Sequence, residues 1–293
     1  MKAIPTVVLV LATLPAISLP HGAPVTIQYV PNGTIDQTMD VYWPSSRATA
    51  TVLFIHGGSL QESGERRTAQ MYKNVCTQFV ARGIACASMD YRLAPKSSWP
   101  AMPQDVAYAV ASLRKLLADG KGDPDQLFLF GHSSGCHLAA IVGMDSTYLK
   151  SVGLGTRNIG GIIPMGCTLD RDDATLRGLT ADRIRNAFMN EAQDVATYKS
   201  AENYLNANPA THIGKHMPPT LIIVADAERF MPPIMEQGAR VVRRLLEEGV
   251  AANLVIVPGT HISSIEAVSK SDDPALLAIL RFIANPAGSG AAH

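Results

Sequence analysis

Short apolar segments of strand length alternate with longer amphipathic segments along most of this 293-residue chain. Strand-like runs fall at 39–43, 51–56, 84–90, 126–130, 161–165, 220–225 and 252–257. Helix-like segments fall between or after them at 66–82, 103–117, 135–144, 234–248 and 273–283. Most of the strand-like runs are apolar at nearly every position, which suits strands buried on both faces. Helical crossovers then return the chain to the same end of the sheet. The alternation predicts an α/β fold, a mostly parallel central sheet with helices on both faces. Residues 169–215 interrupt it with polar residues in helical blocks. They are expected to form a small helical insertion, a cap over the C-terminal edge of the sheet, where ligands of open α/β sheets bind. No fixed-period repeat divides the chain, so 19–293 reads as a single domain.

Apolar residues make up 47% of the chain and charged residues 17%, enough for a large core and too apolar for wholesale disorder. Twenty-five basic residues balance 25 acidic ones, so no basic excess recruits nucleic acid or an anionic membrane. Lys2 precedes an uncharged stretch from Ala3 to Leu19, and Ala16-Ile17-Ser18 supplies small residues for cleavage. Residues 1–18 therefore read as a secretory signal peptide, giving a secreted or periplasmic protein. No later stretch is long and apolar enough to span a membrane. Cys76, Cys86, Cys136 and Cys167 match no zinc spacing. They read as small buried apolar residues, with room for one disulfide.

The sharpest chemical signal is Gly131-His132-Ser133-Ser134-Gly135, set between an apolar strand and a helix. A G-x-S-x-G turn in that context forces the serine into a strained backbone and exposes its hydroxyl at the sheet edge. Upstream, His56-Gly57-Gly58-Ser59 ends another strand. N–H groups of Gly57 or Gly58, with that of Ser134, form a candidate oxyanion hole. A nucleophilic serine needs a base oriented by a carboxylate, in the chain order Ser, acid, His. Of the eight histidines only His261 lies just past the last strand, so it is the candidate base. Two carboxylates, Asp226 and Glu228, follow the strand at 220–225. Asp226 abuts the strand end, where Asp commonly binds turn N–H groups. Glu228 is therefore the preferred acid and Asp226 the runner-up. Ser59, Leu60, His132, Phe188, Phe230 and Met231 are candidate substrate-binding residues. With Met189, Tyr198 and Tyr204 the aromatic ones suggest an apolar pocket for short acyl chains. His212 and His216 have a zinc-compatible spacing but no third ligand, so no metal is expected.

These motifs, together with Met39-Asp40-Val41-Tyr42-Trp43-Pro44 and Asp90-Tyr91-Arg92-Leu93-Ala94-Pro95, resemble serine carboxylesterases of the α/β-hydrolase fold. The likeness is greatest to carboxylesterases similar to hormone-sensitive lipase and to small secreted feruloyl or acetyl esterases. It spans about residues 28–283 and departs from the usual pattern at Ser59-Leu60 and at Glu228, where Asp is common. The resemblance implies hydrolysis of a small-molecule ester through an acyl-enzyme, with no cofactor, and places Asp90-Tyr91-Arg92 as a support for the oxyanion loop. It leaves open an arylformamidase-type amide hydrolase, a prolyl-type peptidase and a non-catalytic binding protein of the same fold. If residues 1–18 are a signal, N-terminal sequencing of exported protein should start near Leu19. Retention of Met1 or Lys2 on cytosolic full-length protein would overturn that expectation.

Overall fold

Among the described residues eight strands build one sheet: β1 (Val25–Gln28), β2 (Thr38–Tyr42), β3 (Ala50–Ile55), β4 (Ile84–Met89), β5 (Leu127–His132), β6 (Gly161–Met165), β7 (Thr220–Ala225) and β8 (Ala252–Val257). Their spatial order is β1-β2-β4-β3-β5-β6-β7-β8. The β1–β2 and β2–β4 pairs are antiparallel and every later pair is parallel. The computed structural model describes residues 23–170, 192–228 and 234–290. The signal-like residues 1–18 and the pocket candidates Phe188, Met189, Phe230 and Met231 lie outside the described residues.

The helices among the described residues are, in chain order, α1 (Thr77–Val80), α2 (Ala101–Leu116), α3 (Ser134–Met144), α4 (Ser146–Lys150), α5 (Ala192–Tyr198), α6 (Ala201–Asn206), α7 (Ile234–Glu247), α8 (His261–Ala267) and α9 (Pro274–Ala284). Alternate strand residues serve opposite faces, as the two-residue side-chain period requires. Leu53, Ile55, Leu129 and Ile222 pack under α2, α3 and α7. Val52, Phe54, Phe130 and Ile223 pack against α1 and α9 through Phe79, Leu276 and Ile279. Fully burying each such side chain contributes about 1.5–3 kcal/mol. No helix among the described residues is long and apolar enough to cross a membrane.

Two sequence expectations are corrected. Residues 66–82 do not form one helix. Only Thr77–Val80 is α-helical, and the preceding stretch winds through bonds three residues apart, Ala69 to Arg66, Tyr72 to Ala69 and Val75 to Tyr72. That spacing stacks Tyr72 and Val75 on one side, where both are buried in the core. The four cysteines are not merely small apolar residues: Cys76 pairs with Cys86 and Cys136 with Cys167. The first bond ties the α1 entry to β4, and the second ties α3 to the loop after β6. Non-reducing peptide mapping should recover both linked peptides and no free thiol. A titratable thiol in unreduced, denatured protein would contradict the pairing.

Candidate active site

Ser133 sits between β5 and α3 at φ +56° and ψ −125°, in the left-handed half of backbone space that a side chain rarely occupies. Glycines make this turn possible. A methyl group on Gly131 would collide with the Gly135 carbonyl, and one on Gly135 with the Ile55 and His56 carbonyls. Strand β5, helix α3 and the end of β3 therefore meet at backbone distance. The Ser133 N–H donates to the Met165 carbonyl at 3.0 Å, which binds the turn to the end of β6.

His261 opens α8, just past β8. Thr260 caps that helix: its hydroxyl accepts from the Ser263 N–H at 3.2 Å, while the Ser263 Oγ accepts from the Thr260 N–H at 2.8 Å. Glu228 lies in the loop after β7, with its side chain 1% exposed. Its Oε1 is 2.5 Å from His261 Nδ1, which must carry the proton in that contact. Its other oxygen accepts from the Ala225 N–H at 3.3 Å. Asp226 is exposed and turns elsewhere, accepting from the Gly259 N–H at 2.9 Å. Gly166, at φ +70°, presses against the pair. A methyl group there would stand 2.9 Å from Glu228 Oε1 and 3.1 Å from His261 Nδ1.

The turn after β3 runs through three left-handed residues, Gly58 (φ +102°), Ser59 (+57°) and Leu60 (+61°). His56 is fully buried beneath it. Its Nδ1–H donates to the Gly57 carbonyl at 2.7 Å, and its ring stacks 4.4 Å from that of Tyr91. The Tyr91 hydroxyl donates to the His56 carbonyl at 2.8 Å. Asp90 lies 3.3 Å from His56 Nε2 and forms an ion pair with Arg67. The Nδ1–H bond, the ring stacking and the Tyr91 hydroxyl hold the turn from below. The expectation that Gly57 or Gly58 supplies an oxyanion donor narrows here. The Gly57 N–H is consumed by the Tyr72 hydroxyl oxygen at 3.1 Å. Among the described residues, the N–H groups of Gly58, Ser59 and Ser134 have no such acceptor.

Ser133, Ser134, His261, Ser59 and Leu60 line one cavity of about 310 Å³. Gly166, Cys167 and Thr168 from the β6 loop and Gln193, Asp194, Thr197 and Tyr198 from α5 complete most of its wall. The cap expectation thus meets the cavity through α5. The aromatic pocket expectation fits Tyr198 alone among the described candidates. Tyr204 is buried edge-on to Tyr198, 5.1 Å between ring centroids. His132 is a further correction. It is 1% exposed and does not line the cavity, because the β5 alternation turns it under the site. Burial, then the nearby His261, lowers its pKa to about 3. His137, which does line the cavity, was not among the residues expected there. Nor was Thr168, although its place after a parallel strand was a usable signal.

The BD-FAE family model matches residues 39–245. Esterase LipQ of Mycobacterium tuberculosis (strain ATCC 25618 / H37Rv) is 31% identical over 144 residues, 46% of this chain and 33% of the relative. Kynurenine formamidase of Danio rerio is 31% identical over 120 residues, 40% of this chain and 38% of the relative. The chain thus spans well under half the length of these two curated relatives. A truncated carbohydrate esterase from gut microbiota superposes with a TM-score of 0.72 at 19% identity, covering 91% of this chain and 97% of that one. That likeness fixes the α/β-hydrolase fold.

The two carboxylates generate opposite expectations. Glu228→Gln should keep the fold and cut kcat by up to about 10⁴-fold, since the amide no longer holds Nδ1–H or favours the imidazolium. Asp226→Asn should leave kcat near wild type and cost about 1 kcal/mol of stability through its turn bond. Steady-state kinetics with thermal melts on both variants checks this, and a kinetic loss confined to Asp226→Asn would reverse the assignment.

Proposed function

From membership of the BD-FAE family, which the match over residues 39–245 establishes, we propose that this chain is a carboxylic-ester hydrolase working through a serine acyl-enzyme. One observation carries the reading. A left-handed Ser133 shares a cavity with His261, whose Nδ1 is held at 2.5 Å by the buried Glu228.

In the proposed reaction His261 Nε2 takes the Ser133 Oγ proton as the oxygen attacks the ester carbonyl. Glu228 keeps Nδ1–H in place and stabilises the imidazolium that forms. The N–H groups of Gly58 and Ser134, with Ser59 alongside, receive the developing oxyanion. Each such donor is worth about 3 kcal/mol of transition-state stabilisation. His261 then returns its proton to the leaving alcohol. Water, activated by the same imidazole, attacks the acyl-serine and frees the acid.

The described lining of the cavity supports a substrate class. About 310 Å³ is at the lower end of small-molecule sites. Much of the wall is polar, including Ser59, Thr168, Gln193, Asp194 and Thr197. Both features favour short-chain or aryl esters over long aliphatic ones. Identity to a kynurenine formamidase favours an amide-cleaving second reading, which the same serine and base would serve.

Ser133→Ala should lower kcat by about 10⁶-fold, and an organophosphonate should label Ser133. Aryl acetate and butyrate should turn over faster than the laurate, with N-formylkynurenine as the slowest of the panel. Labelling of Ser134 or Ser59 would sink the nucleophile assignment. Faster cleavage of N-formylkynurenine than of every ester would transfer the reading to the formamidase class.

A further inference from the structure

His132 occupies the variable position of the elbow, yet the proposed reaction gives it no task. It is buried, and its ring lies 4.5 Å from that of His261, centroid to centroid. The protons around it can be assigned. Its Nε2 is 2.9 Å from the His261 carbonyl oxygen, which can only accept, so Nε2 carries the hydrogen. Burial keeps the ring neutral, so Nδ1 holds a lone pair. The Tyr72 hydroxyl, 3.0 Å from Nδ1, must then be the donor. Burial raises the Tyr72 pKa well above its ordinary value, so that proton stays on the phenol. The phenolic oxygen is left to accept the Gly57 N–H at 3.1 Å.

The result is one chain with one direction: Gly57 N–H to Tyr72, Tyr72 O–H to His132 Nδ1, His132 Nε2–H to the His261 carbonyl. It joins the turn after β3 to the start of α8 beyond β8, two sites that the sheet order separates by β5, β6 and β7. The Ser264 hydroxyl donates to the same His261 carbonyl at 3.2 Å. The His261 backbone is thus fixed both from its own helix and from beneath the nucleophile.

We propose that Tyr72 and His132 are positioning residues that act as a single strut, setting the oxyanion turn and His261 in mutual register for acyl transfer. The proposal rests on the serine-esterase reading above. Neither residue touches substrate. Both act through the groups that do, so loss of the strut should lower kcat and leave KM nearly unchanged.

The test uses the intact chain and a short-chain aryl ester. Tyr72→Phe removes only the hydroxyl and keeps the ring against Phe54, 5.3 Å away between centroids. It should cost about tenfold in kcat with KM within about twofold, because the bond from the Gly57 N–H and the bond to His132 Nδ1 are both lost. His132→Gln keeps an N–H donor at the Nε2 position and loses only the acceptor facing Tyr72, so it should lower kcat by no more than Tyr72→Phe does, with KM again within about twofold. In the double variant the two losses should not multiply, because one strut can be broken only once. A wild-type kcat in Tyr72→Phe overturns the proposal. So does a raised KM at constant kcat, or multiplying losses in the double variant. If Tyr72→Phe fails to fold, His132→Gln alone decides by the same kcat and KM criteria. Ser133→Ala run alongside separates the readings: if it retains activity the serine mechanism itself fails, and if it is dead while Tyr72→Phe is normal only the strut fails.

Discussion

Ser133 can hold a left-handed backbone because nothing larger than hydrogen stands at Gly131 and Gly135. That single close approach sets much of the rest. It brings α3 onto the ends of β3 and β5 with carbonyl oxygens of Ile55 and His56 where a side chain would otherwise sit. Ser133 and Ser134 line the same cavity beside that turn. Burial of Leu53, Leu129 and Ile222 against the helices makes the sheet stable, but apolar packing is non-directional. The angle at which α3 leaves β5 comes from the glycines.

Around that fixed point the groups arrive on loops from separate strand ends, and each loop is tied by directional bonds. The turn after β3 rests on His56 and Tyr91. Arg92, on the same segment, grips the fully buried Asp105 of α2 through its side chain and its backbone N–H, at 2.8 and 3.0 Å. Asp105 also accepts from Gln37 Nε2 at 2.8 Å, so the buried carboxylate is well satisfied rather than left to cost several kcal/mol. The loop after β7 carries Glu228 to His261, while its neighbour Asp226 anchors the loop to Gly259. Two acidic residues separated only by Ala227 thus divide two tasks by the direction each side chain takes.

This division was legible in the sequence because it is local. Asp at a strand end prefers turn N–H groups, and Glu two residues on has the reach to leave the turn. The elbow, the alternation of strands and helices and the place of His261 are local patterns of the same kind. What the sequence concealed depends on partners distant along the chain. Tyr72 takes the Gly57 N–H only because the fold lays the turns of 66–76 beneath the end of β3. Apolar spacing at 66–82 suits a helix, yet the core needs Tyr72 and Val75 on one side, and the chain winds more tightly to provide it. The pairing of Cys136 with Cys167 spans 31 residues and follows from the adjacency of β5 and β6, which no spacing rule encodes.

That disulfide and the hydrogen-bonded strut serve the same geometric need with different atoms. Cys167 follows Gly166, the residue wedged against Glu228 and His261, and Cys136 lies three residues past the nucleophile. The covalent link therefore prevents the β6 loop from drifting away from α3 and releasing the acid–histidine pair. The chain through Tyr72 and His132 restrains the His261 backbone relative to the oxyanion turn. A site assembled from five loops has five independent ways to lose an ångström, and misplacement on that scale can cost a rate factor of about 10². Sheet packing fixes where each strand ends but leaves the next few residues free. Cross-ties between loops, rather than a larger core, are what supply the remaining precision.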